Sequence, residues 1–326
     1  MKAVGIIGTG MYVPDRILTN GDLEKMVDTN DEWIVTRTGI RERRIAAEDQ
    51  ATSDLAYEAA VRALGSAKLK PEDVDLIIVA TITPDMFFPS TACILQDKLG
   101  ARKAAAFDLS AACSGFIYAL ATAVGMLKSG MYRNALVVGA ECLSRITDYT
   151  DRNTCILFGD GAGAVVLGEV PEGRGFRSFE LGADGSGGPL LKVAGGGSRL
   201  PASAETVESR AHYIQMAGNE VFRFAVRIMG SVAEEALRKA GIDKKDVDLL
   251  VPHQANIRII QAALSRLELP EEKCMINLDR YGNASAASIP IALAEAVEQG
   301  RIREGDCLVL VGFGGGLTWG ASVLIW

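Results

Sequence analysis

Asp73-Val74-Asp75-Leu76-Ile77-Ile78-Val79 reads as a polar turn running into a short strand buried on both faces: aliphatic, β-branched and free of charge. Nearly the same phrase returns as Asp246-Val247-Asp248-Leu249-Leu250-Val251-Pro252, with Asp75 and Asp248 lying 173 residues apart. Ala135-Leu136-Val137-Val138-Gly139 is echoed at the same spacing by Leu308-Val309-Leu310-Val311-Gly312. Between these, Phe107-Asp108-Leu109 matches Ile276-Asn277-Leu278, and each precedes a run of small residues. The chain reads as two copies of one α/β unit, 1–172 and 173–326, joined near Pro171-Glu172-Gly173.

Outward from the repeat, further apolar runs at 3–8, 75–82, 134–140, 247–252 and 306–312 are expected strands. A helix is expected over 53–65, with Ser53 as its N-cap. Segments 113–129 and 284–299 carry hardly a charge until their ends, so both are expected as helices in the middle of the molecule. Strands alternating with helices imply an α/β fold with mostly parallel pairing.

The 326 residues are 48% hydrophobic, 23% charged and 6% aromatic, a balance that excludes a disordered or collagen-like chain. A net charge of −7 argues against a general nucleic-acid binder. The opening Met1-Lys2-Ala3-Val4-Gly5-Ile6-Ile7 is too short an apolar run for a signal peptide, and no uncharged run has transmembrane length. The six cysteines form no CxxC and no zinc spacing, so a cytoplasmic protein with reduced thiols is expected, without a metal. Gly159-Asp160-Gly161-Ala162-Gly163 lacks the Lys-Ser/Thr of a phosphate loop, and Gly8-Thr9-Gly10 lacks the third glycine of a dinucleotide fingerprint.

Cys113 stands where a strand ends, small residues turn and a buried helix begins, so the helix dipole is expected to favour its thiolate. Only two histidines exist. His253, in Pro252-His253-Gln254-Ala255-Asn256, follows the second-half strand, where open α/β sheets place their sites; His212 has no such context and reads as structural. Asn283, in Tyr281-Gly282-Asn283-Ala284-Ser285, falls near the position that Cys113 holds in the first half, so a pseudo-twofold brings the two together; alone it would be a helix cap. Phe313-Gly314-Gly315-Gly316 lets backbone approach a ligand and aim an N–H at an oxyanion; the alternative is a tight turn.

With these residues in place, the sequence resembles, from end to end, the β-ketoacyl-[acyl-carrier-protein] synthase III family of thiolase-like condensing enzymes. The matching pieces are Thr29 to Ile40, Ala112-Cys113-Ser114-Gly115, Phe158 to Ala164, His253 to Asn256, Tyr281 to Ser285 and the Gly314–Gly316 turn. The resemblance implies a thiolase-like fold, duplicated α/β halves in an α-β-α-β-α layering, with the nucleophile in one half and the His and Asn in the other. It also implies the reaction. An acyl-CoA, usually acetyl-CoA, acylates Cys113; malonyl-acyl-carrier protein then loses CO2, and its enolate attacks the thioester to give 3-ketoacyl-acyl-carrier protein. In that scheme His253 and Asn283 stabilise the decarboxylation enolate, and the N–H groups of Cys113 and Gly315 form the oxyanion hole. Trp33 and Arg152 sandwich the CoA adenine and Arg37 lies near its phosphates. Gly218, Asn219 and Asn256 line the pantetheine tunnel, and Phe88, Leu157 and Phe158 line the acyl pocket or a dimer contact. Arg223, Arg227, Arg258 and Arg266 offer an acidic carrier protein a basic face. The CoA thioester is a substrate, no cofactor is implied, and a homodimer is expected.

Rivals fit less well. Thiolases proper need a second cysteine near the C-terminal glycine turn, and the elongating condensing enzymes need two active-site histidines. A papain-like hydrolase shares the order Cys, His, Asn but not the doubled α/β pattern.

Overall fold

The structure, a computed structural model, describes residues 3–326. In the first half the strands are β1 (Val4–Tyr12), β2 (Arg16–Thr19), β3 (Glu42–Ile45), β4 (Leu76–Ala80), β5 (Ala105–Leu109), β6 (Ala135–Glu141) and β7 (Gly161–Glu169). Its helices are α1 (Asn20–Leu23), α2 (Asp31–Thr38), α3 (Thr52–Ala67), α4 (Thr91–Leu99) and α5 (Gly115–Lys128). The second half contributes β8 (Gly175–Ala183), β9 (Leu191–Val193), β10 (Ile214–Met216), β11 (Leu249–Pro252), β12 (Cys307–Gly314) and β13 (Thr318–Ile325). Its helices are α6 (Ala204–Glu208), α7 (Gly218–Ala240), α8 (Ile257–Leu267), α9 (Leu278–Tyr281) and α10 (Ser288–Glu298).

The two main sheets have the same plan. The first runs β1-β7-β6-β4-β5 and the second β8-β13-β12-β11. In both, the β1-β7-β6 and β8-β13-β12 pairings are antiparallel, and the β6–β4, β4–β5 and β12–β11 pairings are parallel. The place of β5 in the second sheet is held by a single parallel bridge, Leu250 to Cys274.

Period-two alternation explains why these strands read as unbroken apolar runs. Leu76, Ile78 and Ala80 face the middle of the molecule, while Ile77 and Val79 face outward under α3 and α4. Leu308 and Leu310 likewise face the middle, and Val309 and Val311 face α7 and α8. The central strands β4, β6 and β12 are covered on both faces, so polar residues are rare in them. Helices α5 and α10 fill the space between the sheets and are buried on nearly every side. The layers are therefore α3/α4, first sheet, α5/α10, second sheet, α7/α8.

Three expected boundaries shift. Helix α3 starts at Thr52 after an N-cap at Ala51, so Ser53 lies in the first turn and gives its N–H to Asp85 instead of capping. Residues 112–114 and 285–287 form 3-10 turns ahead of α5 and α10. Each turn opens on a residue in the left-handed region, Ala112 at φ 47° and Ser285 at φ 45°, again 173 residues apart. Close packing joins the halves: a Cβ on Gly139 would sit 2.2 Å from Ala286 O.

Candidate active site

The parallel strands all point their carboxyl ends at one region. β5 leads into the Cys113 turn, β11 into His253, and β12 into the Gly314–Gly316 turn. Cys113, His253 and Asn283 line one cavity of about 110 Å³, together with Gly218 and Asn256. On its other side Cys113 lines a second cavity of about 380 Å³, walled by Ile82, Leu143, Ile146, Phe158, Leu191 and Ile214. The thiol thus sits between two chambers.

Local bonds hold the constellation. Gly314 lets β12 press on the nucleophile turn: a Cβ there would lie 2.5 Å from Cys113 N. Thr318 Oγ1 donates to Ala111 O at 3.0 Å and accepts from Ser114 Oγ at 2.8 Å, tying β13 to the same turn. Gly315 lines the larger cavity beside Cys113. Asn283 Oδ1 accepts the Ser285 N–H at 2.9 Å, which leaves the amide NH2 as the group free to donate into the cavity.

His253 is 1% exposed, and Phe313 meets it edge-on at 5.6 Å. Its Nδ1 lies 2.6 Å from Ser288 Oγ, which also accepts the Gln254 N–H at 3.4 Å. The arrangement that uses every group has Ser288 donating to Nδ1, which places the ring proton on Nε2. Burial pushes the imidazole down to about 3, so the ring is neutral near pH 7.

The thiol departs from expectation. Cys113 does stand ahead of α5, but burial pushes it up to about 12; Ser285 lowers it and the Glu141 charge raises it further. The resting site therefore holds a neutral thiol beside a neutral imidazole.

The remaining expected residues divide. Arg37 and Arg152 both place their guanidinium groups over Trp33, at 5.0 and 5.5 Å from the ring centre. Asn256 donates to Arg37 O at 2.8 Å, linking that cluster to the smaller cavity. Leu157 lines the smaller cavity and Phe158 lines both. The buried Arg43 guanidinium, bonded to Leu18 O, Asn20 and Ile156 O, anchors the segment that carries them. Asn219 is exposed and lines neither cavity, unlike Gly218. Phe88 is 85% exposed and lines neither cavity, because the segment Met86–Phe88 stands on the surface. Arg266 is paired with Glu234 at 2.7 Å and Arg223 with Glu220 at 3.1 Å. Arg227 and Arg258 instead lie over Phe224 and Phe222, at 5.9 and 5.0 Å. His212 bonds Thr206 Oγ1 at 2.9 Å and lines neither cavity.

Sequence reasoning missed Ser288, Glu141 and the apolar walls Leu191, Met216 and Phe222. The first lies in an alanine-serine run and the second ends an ordinary strand, so neither carries a local signal.

Residues 107–185 match the family model described as 3-oxoacyl-[acyl-carrier-protein] synthase III, and residues 237–326 match its C-terminal model. A β-ketoacyl-[acyl-carrier-protein] synthase III of Desulfitobacterium hafniense (strain Y51) is 63% identical over 326 residues, 100% of this chain and 98% of that protein. The one from Caldanaerobacter subterraneus subsp. tengcongensis is 62% identical over 324 residues, 99% of this chain and 98% of that protein. Among solved structures, the synthase III of Thermus thermophilus superposes with a TM-score of 0.93 at 55% identity over 99% of both chains. That of Aquifex aeolicus VF5 gives 0.92 at 50% identity over 99% of this chain and 100% of that one. No helix among the described residues is long and apolar enough to cross a membrane. The chain belongs to the β-ketoacyl-[acyl-carrier-protein] synthase III family, condensing acyltransferases of thiolase-like fold that start fatty-acid synthesis.

Proposed function

We propose that Cys113 takes an acyl group from acyl-CoA and passes it to a carbanion made by decarboxylating malonyl-acyl-carrier protein. The observation that carries this reading is the cavity lined at once by Cys113, His253, Asn283 and Gly314. The thioester carbonyl lies against Cys113 N–H and Gly315 N–H, which donate to its developing oxyanion. After CoA leaves, malonyl-carrier protein enters and decarboxylation builds charge on its thioester oxygen. His253 Nε2–H and the Asn283 amide donate to that oxygen without giving up a proton. The enolate then attacks acyl-Cys113 and expels the thiolate. Neutral His253 suits this role, since a donor near pH 7 is needed, not a cation.

The same reading places the CoA adenine against Trp33 with Arg152, Arg37 near the phosphates, and the pantetheine arm past Asn256 and Gly218. Arg258, over the smaller cavity's Phe222, and Arg227, over Phe224, form no ion pair among the described residues and suit an acidic carrier protein better than Arg266 does. The reaction needs no resident metal or cofactor, and six free thiols suit a reducing, cytoplasmic setting. The exposed Met86, Phe87 and Phe88 form an apolar patch that supports a homodimer.

A second reading concerns the primer. A cavity of about 380 Å³ beside Cys113 is far larger than an acetyl group needs, which favours acceptance of longer or branched acyl groups as well. Steady-state assays with acetyl-, isobutyryl- and longer acyl-CoA decide it: comparable kcat/KM for the larger primers supports this reading, and strict acetyl preference removes it.

A further inference from the structure

Glu141 ends β6 with no exposure and forms no ion pair among the described residues. A lone carboxylate in such a place is costly unless donors surround it or it takes up a proton. The hydroxyls of Thr83 and Thr81 and the N–H of Ile82 all donate to it, the last two at 3.2 Å. The titratable groups facing it are the Cys113 and Cys142 thiols, both raised to about 12 by burial and so neutral. Burial lifts Glu141 itself to about 7.

Ser285 stands between this carboxyl and the nucleophile. Its hydroxyl is buried, lines the larger cavity next to Cys113, and has no partner of full hydrogen-bond geometry. Both the Cys113 thiol and the Glu141 carboxyl are nonetheless within its reach. The residue holds a left-handed φ of 45°, a conformation that favours glycine, while its first-half counterpart is plain Ala112. A serine at this position supplies a hydroxyl that neither the turn nor the packing asks for.

We propose that Glu141, acting through the Ser285 hydroxyl, holds the Cys113 proton between the two half-reactions. The inference rests on Cys113 being the acyl acceptor. In acylation the thiol proton passes to Ser285 Oγ as the serine proton passes to the Glu141 carboxylate. The thiolate forms the S–C bond, the C–S bond to CoA breaks, and the CoA thiolate takes its proton from solvent. In condensation the new C–C bond expels the Cys113 thiolate, which recovers its proton from Glu141 by the reverse route. Malonyl decarboxylation supplies the electron pair, and a single solvent proton is consumed over the cycle. His253, held down to about 3, is too weak an acceptor to keep a proton for the lifetime of an acyl-enzyme.

The consequence is a shift in when the solvent proton enters. Acyl-CoA is mixed with enzyme in weak buffer with an indicator dye, about one pH unit above the Glu141 value. Intact mass reports the Cys113 adduct in parallel. The natural chain takes up a proton for each acyl-enzyme formed, and an infrared carboxylic-acid band appears and then vanishes when malonyl-carrier protein is added. Glu141→Gln forms the adduct roughly 10²-fold or more slowly and without that uptake. Ser285→Gly, which removes the hydroxyl and relieves the backbone, behaves the same way. Adduct formation by the natural chain with no proton uptake and no new band overturns the inference, as does Glu141→Gln with the natural rate and uptake. Absence of any adduct on Cys113 in the natural chain overturns the functional reading instead.

Discussion

At Cys113 two effects of opposite sign meet. A helix N-terminus stabilises a thiolate by about 2 kcal/mol at most. Burial raises the thiol from 9.0 to about 12, roughly 4 kcal/mol against the thiolate. Burial wins, which is why the thiolate expected from sequence position is not the resting form. His253 feels the same burial with the opposite effect on charge. Its value falls from 6.5 to about 3, so the native state binds its proton less readily than the unfolded chain. That contribution to stability is complete above pH 6.5 and is lost as pH falls toward 3. Acid titration of Tm should therefore show a steeper loss across this window for the natural chain than for His253→Gln. In catalysis, His253→Ala and Asn283→Ala are expected to slow malonyl decarboxylation by roughly 10²–10³-fold while Cys113 still acylates. Blocked acylation with intact decarboxylation reverses the assignment. Cys113, His253 and Asn283 were legible because each sits in a short motif at a strand or helix end. Ser288 and Glu141 were not, since their partners, His253 and the Thr81–Thr83 segment, lie far off in sequence.

Among the elements, the middle helices were the most legible. α5 and α10 are apolar all round because sheets cover them on both sides, and that leaves its mark in the sequence. At the start of α3 Ser53 has the look of a cap, but its N–H is taken by Asp85 from another loop and the cap is Ala51. The 3-10 turn Ser285–Ala287 is pressed so closely on β6 that no side chain fits at Gly139. Gly139→Ala should cost about 1–3 kcal/mol or more in denaturant unfolding and slow condensation by displacing Asn283 and Ser285. An unchanged midpoint contradicts the close contact. On α8, Arg258→Glu should raise the half-saturating malonyl-carrier protein severalfold and leave that for acetyl-CoA unchanged. Equal effects on both remove Arg258 from the docking face.

For the molecule as a whole, the repeat seen in the strands extends to the strained turn residues Ala112 and Ser285. We propose that 1–172 and 173–326 are the two halves of a duplication that cannot stand apart. The central core mixes Ile78 and Val137 with Leu249 and Leu310, and α10 packs on β1 and β7 of the other half. Unfolding should then be a single cooperative transition, and residues 173–326 alone should lack a cooperative melt. Two separate transitions contradict this. What the sequence could not convey was the pair of chambers meeting at Cys113, because their walls come from loops, short strands and helix ends that no local pattern connects.

Intact-mass analysis after mixing with acetyl-CoA, followed by malonyl-acyl-carrier protein, decides whether Cys113 carries the acyl group between CoA and the malonyl-derived carbanion. An acetyl adduct is expected on Cys113, disappearing as 3-ketoacyl-carrier protein forms, with no adduct on Cys113→Ser. A normal adduct on Cys113→Ser, or an adduct that malonyl-carrier protein does not discharge, contradicts that role.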